Sequence, residues 1–314
     1  MNRATRTTSY PDNLCLDTEQ FEAPTVAKEI VHRSTSGDVM PVRWLRRDDT
    51  HFSLGVQWPV NHRFYAPLHG KYSPTLVPET FRQAAILLAH AEFHVPADHT
   101  FLISELTYTA NPILLRLGTP TTDLTLDVTC SRIRRRGTGI GGMVCQMTLH
   151  NGVGVIASGG GRLQCTAPEV YRRIRGIRIT AEPDDMPVSP PIDPRRVHRV
   201  DPVDVVLAPS ARARRWQLRA DPRNETLFDH TVDHIPGMVL LEAAHQAAQA
   251  TVFPRSWYPT SVDICYQRYA EFNSPCWIEV DTAPPLSPGI VPLRVTGHQD
   301  GRSVFTALVN GSVT

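Results

Sequence analysis

Two long apolar stretches, each with a few polar side chains, dominate the hydrophobic pattern of the chain. The first runs from residue 78 to 91 as PETFRQAAILLAHA, and the second runs from residue 229 to 250 as DHTVDHIPGMVLLEAAHQAAQA. Apolar residues cover nearly every face of a helix built from either stretch, so each predicts a buried helix. A glutamate stands in each, Glu79 and Glu242. Because a buried carboxylate must gain a partner or take up a proton, we expect a raised pKa for these glutamates.

Runs of alternating apolar and polar residues flank both helices and predict antiparallel strands. The first half has two such runs between residues 31 and 58, and then runs at 101–110, 124–134, 143–149 and 154–165. The second half has runs at 197–207, 216–220, 261–269, 276–281, 291–297 and 303–309. A buried helix wrapped by a curved antiparallel sheet is the hotdog fold, and the pattern predicts two of them.

The two halves carry the same motifs in the same order, which indicates an internal duplication. The E-x-x-(basic)-Q-A pattern of the first helix recurs after 163 residues, and the V-H-R triplet at 31–33 recurs at 197–199 after 166 residues. We therefore predict two hotdog domains that pack as a pseudo-dimer within one chain. The predicted regions are an N-terminal arm at 1–28, a first hotdog domain at 29–166, a proline-rich linker at 167–195 with a short basic helix at 171–178, and a second hotdog domain at 196–314.

Composition narrows the classes of function. The chain has 314 residues with 32 basic and 31 acidic side chains, a net charge of +1 that favours neither nucleic acid nor a membrane surface as partner. The absence of an apolar run of membrane-spanning length and of a signal-peptide core predicts a soluble cytoplasmic protein. The six cysteines form no C-x-x-C pair, so we expect buried thiols rather than disulfides or a metal site, and we expect no redox cofactor.

One glycine-rich segment resembles a nucleotide-binding motif but lies in the wrong context. Gly137, Gly139 and Gly142 satisfy G-x-G-x-x-G, yet strand-like residues follow them where a dinucleotide site needs a helix. The segment therefore predicts a hairpin turn. The basic residues at 134–136 beside it are either a solvated turn or a docking patch for an acidic carrier protein.

The two helix motifs together resemble the A-factor synthase (AfsA) family. Its second repeat reads D-H-x-x-D-H-x-P-G-M-x-L-L-E-A-x-R-Q, and its first repeat reads P-x-x-x-x-E-x-x-R-Q-A. This chain matches those patterns at Asp229, His230, Asp233, His234, Pro236, Gly237, Met238, Leu241, Glu242 and Gln246, and at Glu79, Arg82, Gln83 and Ala84. It departs from them at His245, where the family usually has Arg.

The resemblance implies an α+β tandem double hotdog that transfers an acyl group. The implied reaction joins a 3-oxoacyl chain from acyl carrier protein to the primary hydroxyl of dihydroxyacetone phosphate. Ring closure of that ester gives a butenolide phosphate, the precursor of γ-butyrolactone, butenolide or furan signalling molecules. Two rival functions fit the same residues: a dehydratase or thioesterase acting on acyl thioesters, and a non-catalytic acyl-binding regulatory module.

The residue types suit such a transfer. Glu79 or Glu242 would take the hydroxyl proton as a general base. Arg82 would hold the phosphate, because its planar fork matches phosphate oxygens. Backbone N–H groups of Gly237 and Met238 would hold the thioester oxyanion. Further predicted substrate contacts are Gln83, His230, His234, His245, Gln246 and Arg268, with His245 able to bind phosphate only when protonated. A structural role for each glutamate, as partner of a side chain on the same helix face, stays open.

Overall fold

The computed structural model describes residues 26–59, 61–118, 124–180, 188–230, 232–282 and 289–313. The first half contains β1 Pro41–Arg46, β2 His51–Val56, α1 Leu76–Ala91, β3 Thr100–Ala110, β4 Leu124–Ser131, β5 Arg135–Arg136, β6 Gly139–Ile140, β7 Gly142–His150, β8 Val155–Thr166 and α2 Pro168–Arg175. The second half contains β9 Leu207–Ala208, β10 Arg215–Leu218, α3 Gly237–Val252, β11 Trp257–Tyr266, β12 Cys276–Thr282, β13 Ile290–Gln299 and β14 Arg302–Val313.

A single antiparallel sheet of 12 strands joins the two halves, in the order β1-β2-β4-β7-β8-β3-β11-β14-β13-β12-β10-β9. Each half contributes six strands in the same order from its outer edge to the centre. The halves meet where β3 pairs with β11, with Thr109 opposite Ser261 and Glu105 opposite Cys265. Each sheet half curves around its own helix, α1 or α3. The predicted double hotdog is therefore confirmed.

Both central helices are buried as their sequences predict. Helix α3 begins at Gly237, within the apolar stretch at 229–250. Helix α1 begins at Leu76, two residues before Pro78, which was predicted to open it. Pro78 is tolerated there because the first four N–H groups of a helix have no acceptor within it.

Two further segments test the local predictions. Gly137 adopts a φ of +60° between β5 and β6, so the G-x-G-x-x-G segment is the hairpin that was predicted. The strand predicted at 197–207 is wrong except for its last residue, because the segment folds into two 3-10 turns. Asp193 and Asp201 cap these turns by accepting hydrogen bonds from the N–H groups of Arg195 and Val203.

The predicted linker region contains helix α2, followed by a 3-10 turn at Gly176–Thr180. The predicted basic helix is thus present in this region, with different ends. The proline-rich part of the linker at 181–187 lies outside the described residues, as does most of the predicted N-terminal arm. Cys15 also lies outside them, whereas Cys130, Cys145, Cys165 and Cys276 are buried thiols and Cys265 is exposed. Within the described ranges, no helix is both long and apolar enough to cross a bilayer.

Candidate active site

A buried frame of arginine, glutamate and glutamine is built around each central helix. In the first half, a 3-10 turn ends at His32, which has a φ of 53°, and Arg33 follows it. Arg33 Nη2 lies 3.0 Å from Glu79 Oε1, and Gln83 Nε2 donates to the same oxygen at 2.7 Å. Gln83 also donates to the carbonyl of Asp38 and accepts from the N–H of Met40. The frame therefore ties the V-H-R segment to α1.

The second half repeats this frame. His198 has a φ of 54° at the end of the equivalent turn, and Arg199 donates to Glu242 Oε1 through Nη2 at 2.6 Å. Gln246 Nε2 donates to the same oxygen at 2.7 Å. Gln246 also donates to the carbonyl of Asp204 and accepts from the N–H of Val206.

The charged partners in the first frame determine the protonation of Glu79. Burial raises the pKa of Glu79, but Arg33 and Arg82 outweigh burial and lower the pKa to about 2. Arg82 donates to both carboxylate oxygens, from Nε at 2.9 Å and from Nη2 at 2.8 Å. The raised pKa expected from the sequence is therefore wrong for Glu79, because the helix supplies one guanidinium and the V-H-R segment supplies another.

The two frames differ in the space beside them. A cavity of about 1180 Å³ lies against the first frame, and its wall includes Arg33, Glu79 and Arg82 from the first half. The second half supplies most residues from 226 to 242. A pocket of only about 40 Å³ lies against the second frame, between Arg199, Glu242 and the segment at 66–75. Glu242 also borders the large cavity.

The D-H-x-x-D-H segment has no counterpart with the same side chains in the first half. Counted back from the two glutamates, Asp229, His230, Asp233 and His234 correspond to Ala66, Pro67, Gly70 and Lys71 in the first half. The acidic and imidazole groups of this segment therefore occur on one side of the duplication only. They lie in the wall of the large cavity.

Asp229 connects this segment to the first half. Its carboxylate accepts from the backbone N–H of Ser34 at 2.9 Å and from the Ser34 hydroxyl at 2.8 Å. Arg33 adds a hydrogen bond to the carbonyl of Thr226 at 2.9 Å. His230 is the more loosely held neighbour, since its side chain is 58% exposed and its Nδ1 lies 3.8 Å from Asp229. The cavity wall is thus assembled from both halves.

Asp233 and His234 form a second, tighter pair. His234 Nδ1 lies 2.7 Å from Asp233 Oδ1, and the Tyr171 hydroxyl donates to the same oxygen at 2.6 Å. Arg175 Nε donates to Asp233 Oδ2 at 2.7 Å. The ring of Tyr269 lies against the imidazole, with 4.7 Å between centroids. Burial raises the pKa of Asp233, but these hydrogen bonds, led by that from His234, hold it well below its usual range.

The remaining predicted contacts divide into two groups. Gly237, Met238 and Arg268 line the large cavity. The N–H groups of Gly237 and Met238 lie in the first turn of α3, where no carbonyl of the helix accepts them. Gln83, His245 and Gln246 are absent from its wall. His245 is buried beside the small pocket and contacts the Tyr108 hydroxyl at 3.2 Å. Burial lowers the pKa of His245 to about 4, so the ring carries no charge for a phosphate near neutral pH.

Several cavity residues were not singled out from the sequence. Arg33 belongs to the repeated V-H-R triplet, and the near-equal spacing from that arginine to the glutamate, 46 residues in the first half and 43 in the second, was a signal for the Arg33–Glu79 pair. Tyr171 and Arg175 came from the predicted linker and carried no such signal. His32 also lines the cavity, with its Nε2 3.0 Å from His90 Nε2, and burial lowers its pKa to about 4. Among the described residues, no group of three or more His, Cys, Asp or Glu side chains is arranged to hold a metal ion.

A family model and two relatives in sequence agree on the family. The model of the A-factor biosynthesis hotdog domain (AfsA) matches residues 17–167 and again residues 180–314. The chain is 44% identical over 285 residues to a protein of Streptomyces virginiae, covering 91% of this chain and 97% of that one. It is 38% identical over 295 residues to a protein of Streptomyces coelicolor, covering 93% of each chain. Both relatives are named 2-oxo-3-(phosphooxy)propyl 3-oxoalkanoate synthase. A solved 12:0-ACP thioesterase from Umbellularia californica is 12% identical, with a TM-score of 0.49 over 84% of this chain and 98% of that one. The chain belongs to the A-factor biosynthesis hotdog family.

Proposed function

We propose that this protein is an acyltransferase that joins a 3-oxoacyl chain from acyl carrier protein to the hydroxyl of dihydroxyacetone phosphate. The observation that carries this proposal is the large cavity, which combines the guanidinium of Arg82 with an apolar wall in a chain related to two synthases. The name of those relatives describes such an ester, in which a phosphooxy-oxopropyl group is bonded to a 3-oxoalkanoate. Ring closure of the ester then gives a butenolide phosphate on the way to γ-butyrolactone, butenolide or furan signalling molecules.

Arg82 is the proposed anchor for the phosphate. Glu79 engages its Nε and Nη2, which leaves the N–H groups of Nη1 for a ligand. The side chain of Arg82 is 14% exposed and lines the cavity. A guanidinium that is fixed in place before the ligand arrives loses little conformational entropy on binding. Arg268, an exposed arginine in the same wall, is a second candidate contact.

The acyl chain fits the apolar part of the wall. Ile86, Leu106 and Leu240 are buried and line the cavity. The N–H groups of Gly237 and Met238 are the proposed donors to the thioester oxyanion, because they are unpaired at the start of α3 and lie beside the apolar wall. Gly237 carries no side chain that would stand between a substrate and these groups.

Acyl carrier protein is the proposed donor, and the rim of the cavity suits it. Helix α2 and its following turn expose Arg172 and Arg178, which are 63% and 60% exposed. Arg173 is also exposed, and Ile174 and Ile177 are 56% and 91% exposed. Exposed apolar side chains next to cations favour a protein partner that is acidic and partly apolar. The basic hairpin at 134–136 does not line the cavity, so α2 is the better candidate surface.

Product analysis tests the proposed reaction. Purified protein is incubated with 3-oxoacyl thioesters, with and without dihydroxyacetone phosphate, and products are identified by mass spectrometry. A phosphorylated ester or butenolide that forms only with dihydroxyacetone phosphate supports acyl transfer. Free 3-oxo acid or an enoyl product that forms without it supports a thioesterase or dehydratase instead. Binding of the thioester with no turnover supports the non-catalytic module.

A further inference from the structure

The duplication provides an internal control for the role of the glutamates. Glu79 and Glu242 each accept from a glutamine four residues later, at 2.7 Å, and each pairs with the arginine of a V-H-R triplet. These contacts are the same although Glu79 lines the large cavity alone and Glu242 borders both that cavity and the pocket of about 40 Å³. Contacts that do not change with the space beside the frame indicate a packing role. The residues that take part in proton transfer are therefore expected among those that occur in only one half.

Glu79 is poorly suited to accept a proton. Arg33, Arg82 and Gln83 all approach its Oε1, and Arg82 also donates to its Oε2. Two guanidinium groups favour the ionised carboxylate, so taking up a proton would break two charge-assisted pairs. Glu79 is therefore better placed to orient Arg82 than to act on a hydroxyl.

The second half supplies a carboxylate–imidazole pair in the cavity wall, Asp233 and His234, whose carboxylate is only 11% exposed. Asp233 is ionised and accepts at Oδ1, so the proton between the pair lies on Nδ1 of His234. The neutral ring then carries its lone pair on Nε2. Tyr171 and Arg175 fix the carboxylate, and Arg175 Nη2 also donates to the backbone carbonyl of Asp233 at 2.8 Å. This is the arrangement that makes a histidine a general base: one nitrogen is held by a fixed carboxylate and the other faces the reaction.

Resting on the proposed acyl transfer, we propose that His234, oriented by Asp233, is the general base of the reaction and that Glu79 and Glu242 are positioning residues. Nε2 of His234 takes the proton of the primary hydroxyl of dihydroxyacetone phosphate as the hydroxyl oxygen bonds to the thioester carbonyl carbon. The carbon–sulfur bond then breaks, and the sulfur leaves as a thiol with the proton returned from Nε2. Asp233 stabilises the imidazolium between these two proton transfers, and the reaction needs no other reactant.

The other histidines of the cavity are held less suitably. His230 is 58% exposed, and its neighbour Asp229 is engaged by Ser34. His32 has its Nε2 against His90, whose Nδ1 donates to the carbonyl of Val95. Neither of these two rings has a carboxylate within hydrogen-bond distance. His99 also lines the cavity, and its Nδ1 lies 3.0 Å from Asp98 Oδ1, but that carboxylate is 69% exposed, whereas Asp233 is fixed by Tyr171 and Arg175.

The charged and titratable groups around His234 permit a clear pH measurement. They are Asp233, Tyr171, Arg175 and Tyr269, with Glu271 behind Arg175 at 2.8 Å. Burial raises the pKa of Tyr269 to about 12 and moves the pKa of Tyr171 above its usual range, so both stay neutral during an assay. A fall of activity below neutral pH then reports an imidazole.

The test compares kcat, KM and pH profiles of four variants with those of the wild-type protein. His234→Gln and Asp233→Asn are expected to lower kcat by about 10² to 10⁴-fold, because they remove the base or its tautomer. His234→Gln should also abolish the acid limb of kcat/KM. Glu79→Gln should keep that limb and lose less than about tenfold in kcat, since it loses no proton-transfer group. His150→Gln is the matched control, because His150 pairs with Asp127 at 2.9 Å on the sheet surface, away from the cavity.

The outcomes separate the two proposals. If the wild-type protein makes no ester from dihydroxyacetone phosphate, the proposed function fails. If it makes the ester and His234→Gln keeps full kcat and the acid limb, the assignment of the base is overturned while the function stands. A loss of more than about 10²-fold in kcat for Glu79→Gln, in a variant whose thermal unfolding matches the wild type, would overturn it as well.

Discussion

Arg33 and Glu79 form a buried ion pair between two segments 46 residues apart, with 3.0 Å between Nη2 and Oε1. Their side chains are only 4% and 2% exposed. The pair links the turn that precedes β1 to helix α1, and the Arg199–Glu242 pair makes the same link in the second half at 2.6 Å. Buried pairs of this kind cost much free energy when one partner is lost, because the other is left charged and unpaired.

Arg199→Leu should therefore lower the free energy of unfolding by about 3–5 kcal/mol. Urea unfolding at pH 7 with linear extrapolation measures the change. Arg195→Leu is the control, since the Arg195–Asp193 pair is 85% and 39% exposed and exposed pairs contribute little to stability. Equal losses in both variants would contradict a structural role for the second frame.

His245 predicts a dependence of stability on pH. Its pKa is about 4 in the folded protein, below the ordinary value of 6.5, because burial disfavours the charged ring. The unfolded chain binds a proton at this position below pH 6.5, whereas the folded protein does not. The contribution of the neutral His245 ring to the free energy of unfolding is therefore present above pH 6.5 and is lost as pH falls from 6.5 to 4. The full loss is about 3 kcal/mol.

His245→Gln removes this titration and can keep the contact with the Tyr108 hydroxyl. As pH falls from 7 to 4, the wild-type protein should lose more unfolding free energy than the variant. Urea unfolding at a series of pH values measures it. His94→Asn is the control, since His94 is exposed and Asn tolerates its positive φ of 52°. A difference that does not change with pH would contradict the assignment.

The fold was predictable because its signals are local and repeated. The apolar helices around Glu79 and Glu242 and the alternating strands carry their own periodicity, and the duplication predicts two copies. The protonation of Glu79 was not predictable from its helix alone, since Arg33 reaches it through the fold. The same holds for His234, because Tyr171 and Arg175 approach Asp233 from a region whose sequence resembles a linker. Sequence patterns identified residues at the cavity, whereas their roles depend on partners that only the tertiary structure brings together.

Arg82 gives a direct test of the phosphate anchor. Arg82→Leu should raise the KM for dihydroxyacetone phosphate by about 10- to 150-fold, which corresponds to the 1.5–3 kcal/mol of a hydrogen bond to a charged group. Arg82→Lys should have a KM between those of the wild type and Arg82→Leu, because lysine keeps the positive charge but lacks the planar guanidinium fork. Steady-state kinetics at saturating thioester measures both. An unchanged KM in Arg82→Leu would show that another residue, such as Arg268, holds the phosphate.

The surface of α2 gives a test of the carrier-protein donor. The double variant Arg172→Glu and Arg173→Glu reverses two exposed charges next to the cavity rim and leaves the buried Arg175 pair with Asp233 intact. We expect kcat/KM for a 3-oxoacyl carrier protein to fall by about tenfold or more at low salt, because electrostatic attraction speeds the encounter. The kcat/KM for the same acyl group on N-acetylcysteamine should not change, since that thioester needs no docking surface.

Charge reversal at Arg135 and Arg136 is the matched control. These arginines are also exposed and adjacent in sequence, but their hairpin does not line the cavity. We expect this variant to use both thioesters like the wild type. If it loses activity with carrier protein while the α2 variant does not, the hairpin is the docking surface instead. Equal losses with both thioesters in the α2 variant would mean that these arginines support the cavity rather than the partner. Added salt should reduce the wild-type rate with carrier protein and leave the rate with N-acetylcysteamine unchanged, because salt screens exposed charges over about 10 Å at 0.1 M.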